Sequence, residues 1–156
     1  MDPEFSKAFN LALKYLARRS KTIKEMERYL TGKHIPSQVI EGVIDRLITA
    51  KYLDDRAFSV QFIENRIRFK PKSTYALGYE LRQKGVPPLL ADELLAGYDD
   101  TILARKAVDS KKGQWHHLDR ETSRKKLMNH LRYRGFDHSA CQAAWQYFKE
   151  EKNILS

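Results

Sequence analysis

Three stretches of this chain, Thr22–Leu47, Ser73–Tyr98 and Ser123–Phe148, carry one apolar pattern at nearly constant spacing. In the first, the apolar residues are Met26, Leu30, Ile35, Ile40, Val43, Ile44 and Leu47. Moving 51 residues along gives Leu77, Leu81, Val86, Ala91, Leu94, Leu95 and Tyr98. Another 50 residues give Leu127, Leu131, Phe136, Cys141, Ala144, Trp145 and Phe148. Every position is apolar three times over, which marks an internal repeat. A unit of this size cannot bury enough apolar surface alone, so neighbouring units must share a core.

The pattern inside one unit predicts two helices and a tight turn. Thr22, Ser73 and Ser123 are N-cap candidates, and apolar residues four apart mark one helical face. Lys84-Gly85 and Arg134-Gly135 are stop signals, because glycine adopts the left-handed backbone that closes a helix. His34 stands in that slot in the first unit. Pro36, Pro87 and Asp137 then suit the first turn of the next helix.

A further helix precedes each pair. Its stripe is Phe9, Leu13 and Leu16 in unit one and Phe58, Phe62 and Ile63 in unit two. In unit three it is Ile102, Ala104, Ala107 and Val108. Asp54-Asp55 and Asp99-Asp100 precede the latter two stripes, where an acid caps a helix and meets its positive end. The expectation is an all-α protein of nine helices, in three tandem three-helix repeats over residues 6–53, 54–99 and 100–156. Such an array would be elongated and free to curve. Met1–Phe5 reads as a cloning scar, since Glu-Phe is the translation of an EcoRI site, and is set aside.

Charge is where composition enters. The chain has 29 Lys and Arg against 20 Asp and Glu, a formal +9. An excess of this kind suits a polyanionic partner, with nucleic acid ahead of a membrane surface. Residues 105–134 hold ten basic and three acidic side chains, a local +7. The links before the second helix of each unit are also basic: Arg18–Lys21, Arg66–Lys72 and Lys111–His117. Candidate phosphate contacts in the links are Arg66, Arg68, Lys70 and Lys72 in unit two, and Lys111 and Lys112 in unit three. Arg120, Arg124, Lys125, Lys126, Arg132 and Arg134, along the second helix of unit three, complete the set. Phe69 and Trp115 lie in these links outside the repeated stripes, and either could stack on an unpaired base or pack inward.

Other chemistries fit poorly. The paired acids sit at helix starts, and no nucleophile–base arrangement or phosphate-cradling Gly-rich loop is present. No cofactor is expected. His116, His117, His130, His138 and Cys141 are near one another in sequence, but Cys141 occupies the core slot of Ile40 and Ala91, so no metal site is expected. With no signal-peptide pattern and a single cysteine, the expected setting is a reducing cytoplasm.

Tyr52-Leu53-Asp54-Asp55-Arg56-Ala57-Phe58, with Phe62 and Arg66, resembles the signature of the bacterial RecX family. So does Glu80-Leu81-Arg82-Gln83-Lys84-Gly85-Val86, and Leu131-Arg132-Tyr133-Arg134-Gly135-Phe136 matches its C-terminal echo. The likeness runs from about Phe9 to Lys149. One departure is Phe69-Lys70-Pro71-Lys72, where the family usually has a glycine in the link. The resemblance implies a non-enzymatic modulator of the RecA recombinase in DNA repair and recombination. Such a protein would lie in the groove of the RecA filament on single-stranded DNA and limit its growth or activity. It would have RecA and single-stranded or double-stranded DNA as partners; the expected state is a monomer, since a repeat array has no need to dimerise. Two other readings remain open to the residues: helix-turn-helix binding of duplex DNA, and a helical-repeat protein scaffold. The third helices, Ser37–Ala50 and Leu89–Gly97, are too acidic or apolar for comfortable base readout.

Overall fold

The computed structural model describes residues 2–155. It is all-helical, with ten helices and no strand among the described residues. The first triplet is α1 (Pro3–Arg18), α2 (Ile23–Gly32) and α3 (Ser37–Thr49). The second is α4 (Asp55–Phe69), α5 (Thr74–Gln83) and α6 (Pro88–Leu95). The third is α7 (Asp100–Asp109), α9 (Arg120–Tyr133) and α10 (His138–Leu155), with a short extra helix, α8 (Lys112–Trp115), in the link. That extra helix raises the expected nine to ten.

The chain divides into two compact units. The first holds everything up to Gln61 together with Leu81–Ala91, and the second holds Phe62–Glu80 and everything from Asp92 on. The middle triplet is therefore split, with α4 beginning in one unit and ending in the other. In the first unit, Ala8, Ala12, Met26, Leu30, Val43 and Leu47 are fully buried. In the second, Leu103, Ala104, Val108, Leu127, Leu131 and Phe148 centre the core.

Helix ends follow the sequence signals closely. Gly85 and Gly135 both have φ of 89°, and His34 takes the same left-handed region at 62°. The glycines are required twice over. A Cβ on Gly135 would lie 2.7 Å from Ser73 Oγ and 2.9 Å from Ala76 Cβ, and one on Gly85 would collide with the Lys24 side chain.

The paired acids divide their labour in a way spacing alone does not reveal. The first acid of each pair caps its own helix: Asp54 accepts from Ala57 N–H and Asp99 from Thr101 N–H. The second reaches to the preceding repeat. Asp55 accepts from Ile23 N–H at 3.0 Å, at the start of α2, and Asp100 accepts from Thr74 N–H at 2.8 Å, at the start of α5. Each satisfies a helix-start N–H that would otherwise lack an acceptor. Burial raises the Asp55 carboxyl above its ordinary range, partly offset by the Ile23 hydrogen bond.

Four sequence expectations are corrected. Ser123 is not the N-cap of its helix: Asp119 starts α9 a turn earlier by accepting from Thr122 N–H at 2.7 Å. Ser123 instead donates to the Arg120 carbonyl from inside the helix. Ile102 is 52% exposed and Leu103 is buried in its place. Residues two positions apart on a helix differ by about 200°, so Ile102 points away from the Ala104 face. Tyr98 is 38% exposed although its counterparts Leu47 and Phe148 are wholly buried, because α6 ends at Leu95, before reaching it. The fourth is Trp115, whose place in the core is described below.

The segment set aside as a scar is partly helical. Asp2 caps α1, Pro3 opens it, and Phe5 is half-buried against the first core, its ring 6.0 Å from that of Phe9. Met1 lies outside the described residues.

Candidate nucleic-acid interface

The twelve basic side chains singled out from the sequence separate into two groups. Arg68, Lys70, Arg120, Arg124, Lys125, Lys126 and Arg132 are exposed. Arg66, Lys72, Lys111, Lys112 and Arg134 are half-buried, and four of these five have work inside the fold.

Arg66 and Lys72 converge on Glu80. Arg66 Nη2 donates at 2.9 Å and Nε at 3.1 Å to Oε2, while Lys72 Nζ donates at 2.6 Å to Oε1. Burial alone would raise the Glu80 carboxyl, but the hydrogen bonds and charges of Arg66 and Lys72 outweigh it and hold the group below its ordinary value. Arg66 also lies over the Phe62 ring at 4.6 Å. Lys112 Nζ sits 3.1 Å from Asp109 and 3.3 Å from Glu151, and the hydrogen bond to Asp109 raises its pKa. Arg134 Nη1 donates to the Pro71 carbonyl at 3.1 Å. These cations are largely committed, and a phosphate would have to compete for them.

The exposed group is different. Arg120, Arg124, Lys125 and Lys126 lie along α9, whose opposite side buries Leu127, Met128 and Leu131. Arg120 and Arg124 are four apart, and Lys125 and Arg132 are seven apart, so each pair rises from one side of the helix. Arg68 and Lys70 close α4, with the Arg68 guanidinium 5.1 Å from the Phe69 ring centre.

The two aromatic candidates part company. Phe69 is 73% exposed, free to meet a ligand. Trp115 is 6% exposed: α8 turns it inward, edge-on to His130 at 5.6 Å and to Phe148 at 6.3 Å. Its ring faces are unavailable to a base, which corrects the expectation that it might stack. Sequence reasoning also missed Tyr75, Tyr79 and Tyr133, which are 75%, 53% and 83% exposed. The signal was present in the repeat: the positions 51 before and 50 after Tyr75 are Lys24 and Lys125, both exposed.

Cys141 is buried, with burial pushing its thiol upward, and its Sγ lies 3.8 Å from the Phe136 carbonyl oxygen. Among the described residues no cluster of His, Cys, Asp or Glu could hold a metal ion, and no helix is long and apolar enough to cross a membrane.

Comparison with known proteins places this geometry. The model of the RecX first three-helix domain matches residues 8–47, and that of the RecX second three-helix domain matches residues 54–95. A curated protein named Regulatory protein RecX, from Prosthecochloris aestuarii, is 42% identical over 136 residues, spanning 87% of this chain and 89% of its own. Another of that name, from Chlorobium phaeobacteroides, is 35% identical over 95% of this chain and 98% of its own. The names are those of regulatory proteins, not enzymes. The crystal structure of RecX from Lactobacillus salivarius superposes with a TM-score of 0.79 over 94% of this chain and 97% of that one, at 23% identity, a match of fold. Two consecutive domain models and relatives at this identity over most of the length carry one conclusion: the chain belongs to the RecX family.

Proposed function

We propose that this chain restrains a RecA recombinase by binding its filament on single-stranded DNA, lowering its ATPase and strand-exchange activity in DNA repair and recombination. The observation that carries this reading is the similarity to proteins named Regulatory protein RecX over nearly the whole chain. The exposed cations of α9 and of the end of α4 support it, because they supply positive charge for a filament that encloses a polyanion. The third helices weigh against duplex readout: exposed Glu41 and Asp45 on α3, and Asp92 and Glu93 on α6, would face phosphates with like charge. The protein acts as a monomer in the cytoplasm, each of its compact units holding its own buried side chains.

The test adds the purified protein to RecA on single-stranded DNA with ATP. Depressed ATP hydrolysis or strand exchange at stoichiometric protein is the expected result. Unchanged rates would overturn the proposal.

A further inference from the structure

We infer that Phe69, Tyr75 and Tyr133, flanked by Arg68, Lys70 and Arg132, form a stacking site for the unpaired bases of single-stranded DNA. The inference rests on the reading that this chain meets single-stranded DNA, and it adds to that reading a place and a mode of contact.

Three contacts hold the elements together. Ser73 N–H donates to the Arg134 carbonyl at 3.1 Å. Arg134 Nη1 returns a hydrogen bond to the Pro71 carbonyl at 3.1 Å. Gly135 sits so close to Ser73 and Ala76 that no side chain fits between them. The end of α9 is thereby pinned onto the link between α4 and α5, and Pro71 in the middle of that link is buried. Phe69 lies two residues before Pro71, Tyr75 two residues after Ser73, and Tyr133 next to Arg134. All three aromatics therefore stand within two residues of groups that meet in this one junction. At 73%, 75% and 83% exposure, none contributes much to the core. A lone exposed aromatic is ordinary, but three around one pinned junction mark a surface with a ligand.

Charge selects the ligand. Glu80, on α5 beyond this link, is already taken by Arg66 and Lys72. Arg68, Lys70 and Arg132 are exposed and form no ion pair among the described residues. Exposed rings interleaved with unneutralised cations suit a chain of phosphates carrying accessible π-faces. A duplex keeps its bases stacked inside and offers no such face. An acidic peptide would use the cations and leave the rings idle. Tyr79, one turn beyond Tyr75 on α5 and 53% exposed, lengthens the surface in the same direction.

The experiment uses the full chain without RecA and measures anisotropy of labelled oligodeoxythymidine and of an abasic strand of equal length. The parent should bind oligodeoxythymidine roughly ten-fold or more tightly than the abasic strand, within the 5- to 150-fold range that one stacked base supplies. Replacing Tyr75 and Tyr133 together by Ala should remove most of that difference and leave abasic binding unchanged. Tyr75→Phe with Tyr133→Phe should retain it, since the ring and not the hydroxyl makes the contact. Equal affinity of the parent for both strands would overturn the inference whatever the variants do. So would full affinity in the double Ala variant, or tighter binding of a duplex than of the single strand. RecA inhibition is measured separately. Equal affinity of the parent for both strands with intact RecA inhibition rejects this site alone, and a clear preference of the parent for oligodeoxythymidine without inhibition rejects the regulatory reading alone.

Discussion

The link between α4 and α5 and the link between α7 and α9 look alike in sequence. Each is basic and each carries one aromatic, Phe69 in the first and Trp115 in the second. In the fold they do opposite things. The first link pins its middle with Pro71 and leaves Phe69 in solvent. The second coils into α8 and buries Trp115 against His130 and Phe148. The cations do not divide in the same way: Lys72 of the first link pairs with Glu80, as Lys112 of the second pairs with Asp109 and Glu151. An aromatic among basic residues is thus no signal by itself. What matters is whether the neighbouring helix offers an apolar socket, and α10 does so with Trp145 and Phe148.

The largest expected effect tests that contrast directly. Trp115→Ala should destabilise the chain by about 3–5 kcal/mol in urea unfolding, the usual cost of removing a large core ring. Phe69→Ala should change stability by about 0.5 kcal/mol or less, as an exposed position does. Similar losses at both sites would break the comparison.

Next in size is Gly135→Ala, which tests the pin beneath the first link. The left-handed backbone and the contact with Ser73 Oγ should together cost about 1–3 kcal/mol of stability, read by the same unfolding curve. The variant should also weaken binding to oligodeoxythymidine, because it displaces the end of α9, with Tyr133, from the link between Phe69 and Tyr75.

Acid sharpens the contrast from the other side. His130, edge-on to Trp115, has its pKa lowered by burial and then by the charges of Arg134 and Lys111. Its folded-state pKa lies below the unfolded value, so its neutral form contributes stability that is complete above about pH 6.5. That contribution is lost as pH falls below that point and through the folded pKa. Stability measured from pH 7.5 down to 5 should decline, and His130→Gln should flatten the decline. An unchanged slope in the variant would remove His130 as the cause.

The smallest effect separates phosphate contact from stacking. Replacing Arg124, Lys125 and Arg132 by Ala should weaken single-strand binding for all sequences alike. The slope of log affinity against log salt should become shallower by about 0.7 for each lost contact. A loss confined to one duplex sequence would favour specific readout instead.

Much of this was legible before any coordinates. Gly85 and Gly135 stop their helices where the pattern says, and Asp54 and Asp99 cap theirs, because these are short-range effects of a few adjacent residues. The buried positions of the third repeat, from Leu127 to Phe148, follow from one repeated spacing. The candidate surface was read less well. Arg66 and Lys72 look like free cations until Glu80, 14 and 8 residues away, closes on them. Tyr75, Tyr79 and Tyr133 fall outside the repeated apolar stripes, and their exposure is plain only once their helix faces are known.

By itself, then, the sequence determined nine of the ten helices, most of their ends, the three-fold repetition and the family, since each depends on local chemistry or on spacing along the chain. Tertiary structure alone decided that Asp55 and Asp100 cap the helix of the preceding repeat and that Trp115 turns inward. It also decided that the residues beside Phe69, Tyr75 and Tyr133 meet at one junction. Those outcomes depend on which side chains meet across tens of residues, and a hydrogen bond or an apolar socket is chosen only when the partner is there.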